Sequence, residues 1–165
     1  MKYYSQLDEI DKLILHALQI DSRLSNVEIA RRVNLSPPAV HARIKRLEEL
    51  GIIAGYRAIL DPEMMGFDLM CFVQVRLQVH QTDLVKNFRT CIADIPEVLE
   101  CYHLTGSVDY LIKVVLKNKD DLQRFLLERL TPIEGIARIQ SSIVLQAIKT
   151  ETALPIGPDQ ESDLS

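Results

Sequence analysis

Arg43, Lys45 and Arg46 stand within four residues of one another, just after His41 and Ala42, on a stretch that opens Ser36-Pro37-Pro38-Ala39. Clustered cations seek phosphate, and arginine adds a planar fork that pairs with base edges. If this stretch is helical, Val40, Ile44, Leu47 and Leu50 form one apolar stripe. Ala39, His41, Ala42, Arg43, Lys45 and Arg46 then face outward. Small side chains near the start let the backbone approach a base edge, and the cations beyond them reach bases or phosphates. Glu48 and Glu49 confine the basic patch to the first three turns. The prolines suit a helix start, where the first N–H groups have no partner inside the helix and φ is pre-set. Ser36 is placed to cap the N–H of Ala39, and Gly51 to close the far end. Other chemistry finds little support. His16, His41, His80 and His103 fall on separate elements. No pair has metal-ligand spacing, and no Ser/His/Asp or Cys/His set is evident, so neither a catalytic nor a metal site is expected.

The elements that hold this patch are legible by period. Leu7, Ile10, Leu13, Ile14, Ala17 and Leu18 recur at three- and four-residue steps, and Asp8 or Asp11 suits the first turn of that helix. Ser25 followed by Glu28 is a capping box; with Asn26 it opens a second, short helix whose buried stripe is Ile29, Ala30 and Val33. A helix of about eight residues, a three-residue turn and a longer helix make a helix-turn-helix. "IIAGYRAIL" reads as a short hairpin or extended wing, with Arg57 available to a backbone phosphate. "DPEMMGFD" reads as a hinge. From Phe67 the period becomes two: Cys71, Val73, Val75, Leu77 and Val79 face one way, and Gln74, Arg76 and Gln78 the other. A helix striped by Leu84, Val85, Phe88, Cys91, Ile92 and Ile95 follows and ends at Pro96. "VLECYHLTG" and "YLIKVVL" form a hairpin; a helix striped by Leu122, Phe125, Leu126 and Leu130 and a final strand from "IARIQSSIVLQAI" complete the order.

The expected fold is therefore α+β: an N-terminal winged helix-turn-helix, then a ferredoxin-like βαββαβ αβ-sandwich. The expected boundaries are 1–61 for the head, 62–67 for the hinge, 68–152 for the body and 153–165 for an acidic, disordered tail. Both helices of a βαββαβ unit cover one face of its sheet. Leu99 with Cys101, or Tyr110 with Ile112 and Val114, would overfill that side, so the uncovered face is expected to pair with a second copy. The net charge of −4 is uneven: residues 1–61 carry nine Lys/Arg against eight Asp/Glu, the remainder ten against fifteen. A local patch rather than the total steers a protein to phosphate. Three cysteines, Cys71, Cys91 and Cys101, without CxxC spacing read as reduced thiols. No signal-peptide core or membrane-length apolar run is evident, so a cytoplasmic protein with no membrane partner is expected.

The segments "DEIDKLILHALQIDSRLSNVEIARRVNLSPPAVHARIKRLEELGIIAGYRAIL", "TGSVDYLIKV" and "GIARIQSSIVLQAIK" together resemble the Lrp/AsnC, or feast/famine, transcription regulators. The likeness runs over about residues 5–155. It implies a DNA-binding head, a body that dimerises and assembles to octamers or related rings, and a small effector, typically an amino acid, bound between dimers. Double-stranded DNA, other copies of the chain and that effector are the implied partners; no cofactor is implied. The implied effector loop is Thr105, Gly106, Ser107, Val108, Asp109 and Tyr110, where Gly106 would free backbone N–H groups for a carboxylate and Asp109 would accept from an ammonium. Ser141, Ser142, Ile143 and Val144 would add hydroxyls and a wall, with Lys119 or Thr131 contributing across the interface. Many family members carry a second acidic or small polar residue where this loop has Ser107-Val108, which bears on the identity of the effector. Two rivals share the architecture. An effector-independent DNA-organising protein would keep the head and the dimer. A haem-pathway decarboxylase would need converging basic and histidine residues, which the scattered histidines do not supply.

Overall fold

The computed structural model describes residues 7–78, 81–150 and 153–156. Val79, expected on the buried face of the first strand, lies outside them. The chain forms two compact units, one ending at Ala58 and taking back the chain from Lys149, the other spanning Ile59–Ile148.

Among its described residues, the first unit contains three helices. Helix α1 (Glu9–Ile20) starts at Asp8, whose carboxylate accepts from the Asp11 N–H at 2.7 Å while Asp11 accepts from the Asp8 N–H at 3.3 Å. Helix α2 (Asn26–Val33) opens on the Ser25–Glu28 capping box and ends at Asn34, a left-handed residue with φ 54°. Helix α3 (Pro37–Glu49) begins on the Ser36 cap with both prolines in its first turn. Ile14, Ile29, Ala30, Val33 and Val40 pack into one small core, flanked by Ile10, Leu18, Leu24, Leu35 and Ile44. Leu50, expected in the α3 stripe, is exposed instead. The chain has already turned there: Gly51 (φ 70°) and Ile52 donate back to Glu48 and Leu47, both at 2.9 Å, which is a Schellman closure. Residues 54–61 form neither helix nor strand pairing among the described residues, so the hairpin form is not present there. Leu154 is hydrogen-bonded on both sides of its peptide to the Gln19 side chain, Leu154 N to Oε1 at 2.6 Å and Nε2 to Leu154 O at 3.1 Å. One amide side chain there mimics a strand partner for Leu154; residues 157–165 lie outside the described part.

In the second unit a 3₁₀ turn (Glu63–Met65) capped by Asp61 leads to strand β1 (Leu69–Leu77), helix α4 (Thr82–Ala93), strands β2 (Val98–His103) and β3 (Tyr110–Leu116), helix α5 (Lys119–Arg124) and strand β4 (Ile136–Ile143). The strand order is β2-β3-β1-β4 with every pairing antiparallel. Helix α5 runs on as a widened π-helical turn, Phe125–Leu130.

Register fixes which residues share a face. Cys71, Val73 and Val75 lie opposite Val114, Ile112 and Tyr110, and all six are buried beneath Phe88, Ile92, Leu122, Phe125 and Leu130. Burial of Phe88 alone stabilises by roughly 1.5–3 kcal/mol. The sheet expectation is corrected here: Tyr110, Ile112 and Val114 all fit on the helix side, because the small Cys71 and the valines opposite them leave room. The uncovered face instead carries Met70, Phe72 and Leu111, half-buried, beside Lys113, which donates to Glu100 at 3.0 Å, and Tyr102, which donates to it at 2.7 Å.

Candidate nucleic-acid and effector interfaces

On the head, the two helix starts lie side by side. Asn26 Nδ2 of α2 is 3.5 Å from His41 Nδ1 of α3. Ser25 caps α2 through Glu28, donating from its hydroxyl at 2.7 Å and its amide at 2.8 Å, and these bonds hold the Glu28 carboxyl below its usual range. Ser36 accepts from Ala39 N at 3.4 Å. Ser36, Pro37, Pro38, His41, Ala42 and Lys45 are exposed, and Ala39 is half-buried between them. The result is a blunt surface of small residues flanked by a few polar groups. Lys45 lies 3.7 Å from Glu49, a loose surface pair. Arg57 is exposed on the segment that follows α3.

Arg43 and Arg46 are both paired with carboxylates at the start of α1, and Arg46 remains exposed. Arg43 Nη1 donates to Asp8 Oδ2 at 2.7 Å and to Asp11 Oδ1 at 2.8 Å, and Arg46 Nη2 donates to Asp11 Oδ2 at 2.5 Å. The Asp11 side chain is wholly buried, the Arg43 side chain is 29% exposed and Arg46 48%. Arg43 is held more firmly protonated by Asp8 first and Asp11 second. The sequence places Asp11 in the first turn of α1 without revealing its pairing with the arginines, although a signal for that pairing was present. Leu7, Asp11, Ile14 and Leu18 follow steps of four, three and four, so a carboxylate sits in the apolar stripe of α1 and must find a partner.

The expected effector residues fall in several places. Thr105, Gly106 and Ser107 are an exposed loop, Val108 and Asp109 are half-buried, and Tyr110 is buried. Gly106 has φ 126°, which an L side chain rarely adopts. Asp109 is drawn into the sheet: its Oδ2 accepts from Leu77 N at 2.7 Å, and its backbone bridges Leu104 and Val75. That carboxylate oxygen therefore closes the end of β1 before it meets any ammonium. Tyr110 is gripped by Phe88, with ring centroids 4.4 Å apart, by His103 stacked at 4.8 Å, and by Arg89 Nε, which donates to its hydroxyl at 3.2 Å. With Arg89, Cys101 and His103 it lines a cavity of about 410 Å³. Thr131 bonds its hydroxyl to Leu126 O at 2.7 Å, at the close of the π turn. Ser141, Ser142 and Ile143 are exposed on β4, opposite Val73, Phe72 and Cys71. Since β3 and β4 flank β1 on opposite sides, the loop before β3 and these residues are two strand spacings apart, about 10 Å, as well as offset along the strands. One copy does not bring them together. Among the described residues, no group of three or more His, Cys, Asp or Glu could hold a metal ion, and no helix is long and apolar enough to cross a membrane.

A helix-turn-helix head followed by a βαββαβ body defines a two-part, DNA-binding type of regulator. The chain belongs to the Lrp/AsnC family of transcriptional regulators: its residues 7–48 match the AsnC-type helix-turn-helix domain and residues 70–154 the Lrp/AsnC ligand binding domain. It is 39% identical over 145 residues to the leucine-responsive regulatory protein of Rhizobium meliloti, covering 87% of this chain and 92% of that one. It is 39% identical over 152 residues to the Bkd operon transcriptional regulator of Pseudomonas aeruginosa, covering 92% and 99%. Among solved structures, a Neisseria meningitidis transcriptional regulator in complex with L-methionine superposes with a TM-score of 0.87 at 39% identity, over 91% of this chain and 97% of that one.

Proposed function

We propose that the start of α3, with the adjoining start of α2, enters the major groove of double-stranded DNA. Ser25, Asn26, Ser36, Pro37, Pro38, Ala39, His41, Ala42 and Lys45 form the contact surface, and Arg57 meets a neighbouring phosphate. The observation that carries this reading is the exposed, small-residue first turn of α3 fixed by Ser36 and two prolines. Such a start sets the depth at which a recognition helix sits. Residues 62–67 serve as a hinge, and the protein works in the cytoplasm.

The body is proposed to pair through its open face, around Phe72 and Leu111, and to take an amino acid between copies. Support comes from the separation of the 105–110 loop and Ser141–Ile143 within one chain, which a second copy would close, and from the methionine complex of the Neisseria relative. A melting screen with the twenty amino acids tests this. Ligand at a hundredfold excess over Kd stabilises by about 2.7 kcal/mol, so one or more should raise Tm, L-methionine being the first to try. A flat response to all twenty would favour the effector-independent DNA organiser.

A further inference from the structure

We propose that Asp11 is a positioning residue for DNA recognition, holding Arg43 and Arg46 away from phosphate and fixing α3 against α1. The inference rests on the reading of α3 as the DNA-entering helix. Both Asp11 oxygens are used, Oδ1 by Arg43 at 2.8 Å and Oδ2 by Arg46 at 2.5 Å, and Asp8 adds a second carboxylate to Arg43. Arg43 and Arg46 are three residues apart, one turn of α3, and both reach Asp11 on α1, Arg43 half-buried and Arg46 at the edge of the exposed flank that carries His41, Ala42 and Lys45.

A phosphate contact strengthens binding to every sequence alike. Two arginines on the backbone would therefore raise affinity without raising discrimination. Tied to a buried carboxylate, the two cannot both move to a phosphate without stranding that charge inside the head, and either one that leaves gives up a short hydrogen bond to it. The same ties resist rotation of α3 about its axis, which keeps the small-residue face toward the base edges. Asp11 thus acts on DNA through the two arginines and touches none itself.

The test compares two probes over a range of KCl concentrations: a duplex that the wild-type protein selects from a random-sequence pool, and poly(dI-dC). Each phosphate contact contributes about 0.9 to the slope of log K against log salt. Arg46→Ala should leave that slope unchanged on both probes while lowering the preference for the selected duplex. A slope shallower by about 0.9 per head would overturn the proposal, because Arg46 would then be a phosphate contact. Asp11→Asn should steepen the poly(dI-dC) slope, as the arginines are released, and reduce the preference. A folded Asp11→Asn variant with slope and preference both unaltered would also overturn it; if circular dichroism shows that variant unfolded, Arg46→Ala decides alone. Absence of any salt-sensitive binding by the wild type is a different result, one that removes the DNA reading of the head and this proposal with it.

Discussion

Asp8 does two jobs with one carboxylate. It accepts the Asp11 N–H at the start of α1 and one guanidinium N–H of Arg43 on α3. The Asp11 amide foremost, and Arg43 after it, hold the Asp8 carboxyl below its ordinary range against the opposing effect of burial. A carboxyl depressed in the folded state contributes stability above its unfolded pKa, near 4, and loses it as pH falls through the folded value. The groups facing it are Asp11, Arg43 and Arg46, so protonation weakens the whole α1–α3 tie. Asp8→Asn should therefore lower the melting temperature of the head at pH 7 and flatten its decline between about pH 4 and pH 2. Parallel melting curves for the variant and wild type across that window would remove Asp8 from the account. These partners lie 32 and 35 positions apart in the chain. Sequence spacing alone gives each residue a helix and a face, but the crossing of two helices decides which charges meet. That is why Arg43 and Arg46 read as free cations until α1 is set beside them.

The elements themselves were largely legible, because each announces itself by a local rule. Ser25 with Glu28, Ser36 with the prolines, and the two-residue alternation from Leu69 to Leu77 are local signals, and each sits where its rule requires. Legibility fails where one residue closes an element through a contact made far along the chain. Asp109, expected to meet an effector's ammonium, uses its carboxylate to cap the end of β1 at Leu77. The far end of α3 shows what a local rule can predict. Gly51 is held at φ 70° by the two closing hydrogen bonds, and nothing lies within 4 Å of the Cβ that a substitution would add. Steric clash with neighbours is therefore absent, and the penalty of Gly51→Ala is conformational, about 1–2 kcal/mol. The expected result is a modest fall in head stability with the body's transition unchanged, read by calorimetry. A neutral substitution would mean that the chain leaves α3 by another turn.

Across the whole molecule, the helix-covered core and the open sheet face behave as separable features. Phe88, Ile112 and Val114 are fully buried within one chain, whereas Phe72 and Leu111 are half-covered on the other face beside Met70. A charge placed on the open face therefore disturbs no contact of the core cluster. In the proposed dimer it would instead be buried against a second copy, where an unpaired charge is strongly unfavourable. Phe72→Arg with Leu111→Asp would supply opposite charges that could pair, so Leu111→Asp alone is the cleaner choice. Light scattering should show a smaller assembly, while circular dichroism keeps the body's signature. Two heads joined in one dimer gain effective concentration on a two-fold duplex, an advantage on the order of 10²–10⁴. Binding of Leu111→Asp to such a duplex should fall toward the affinity of a single head, and binding to a half-site should not change. If the assembly keeps its mass and the two-fold duplex is held as tightly as before, the open face is not where the copies meet.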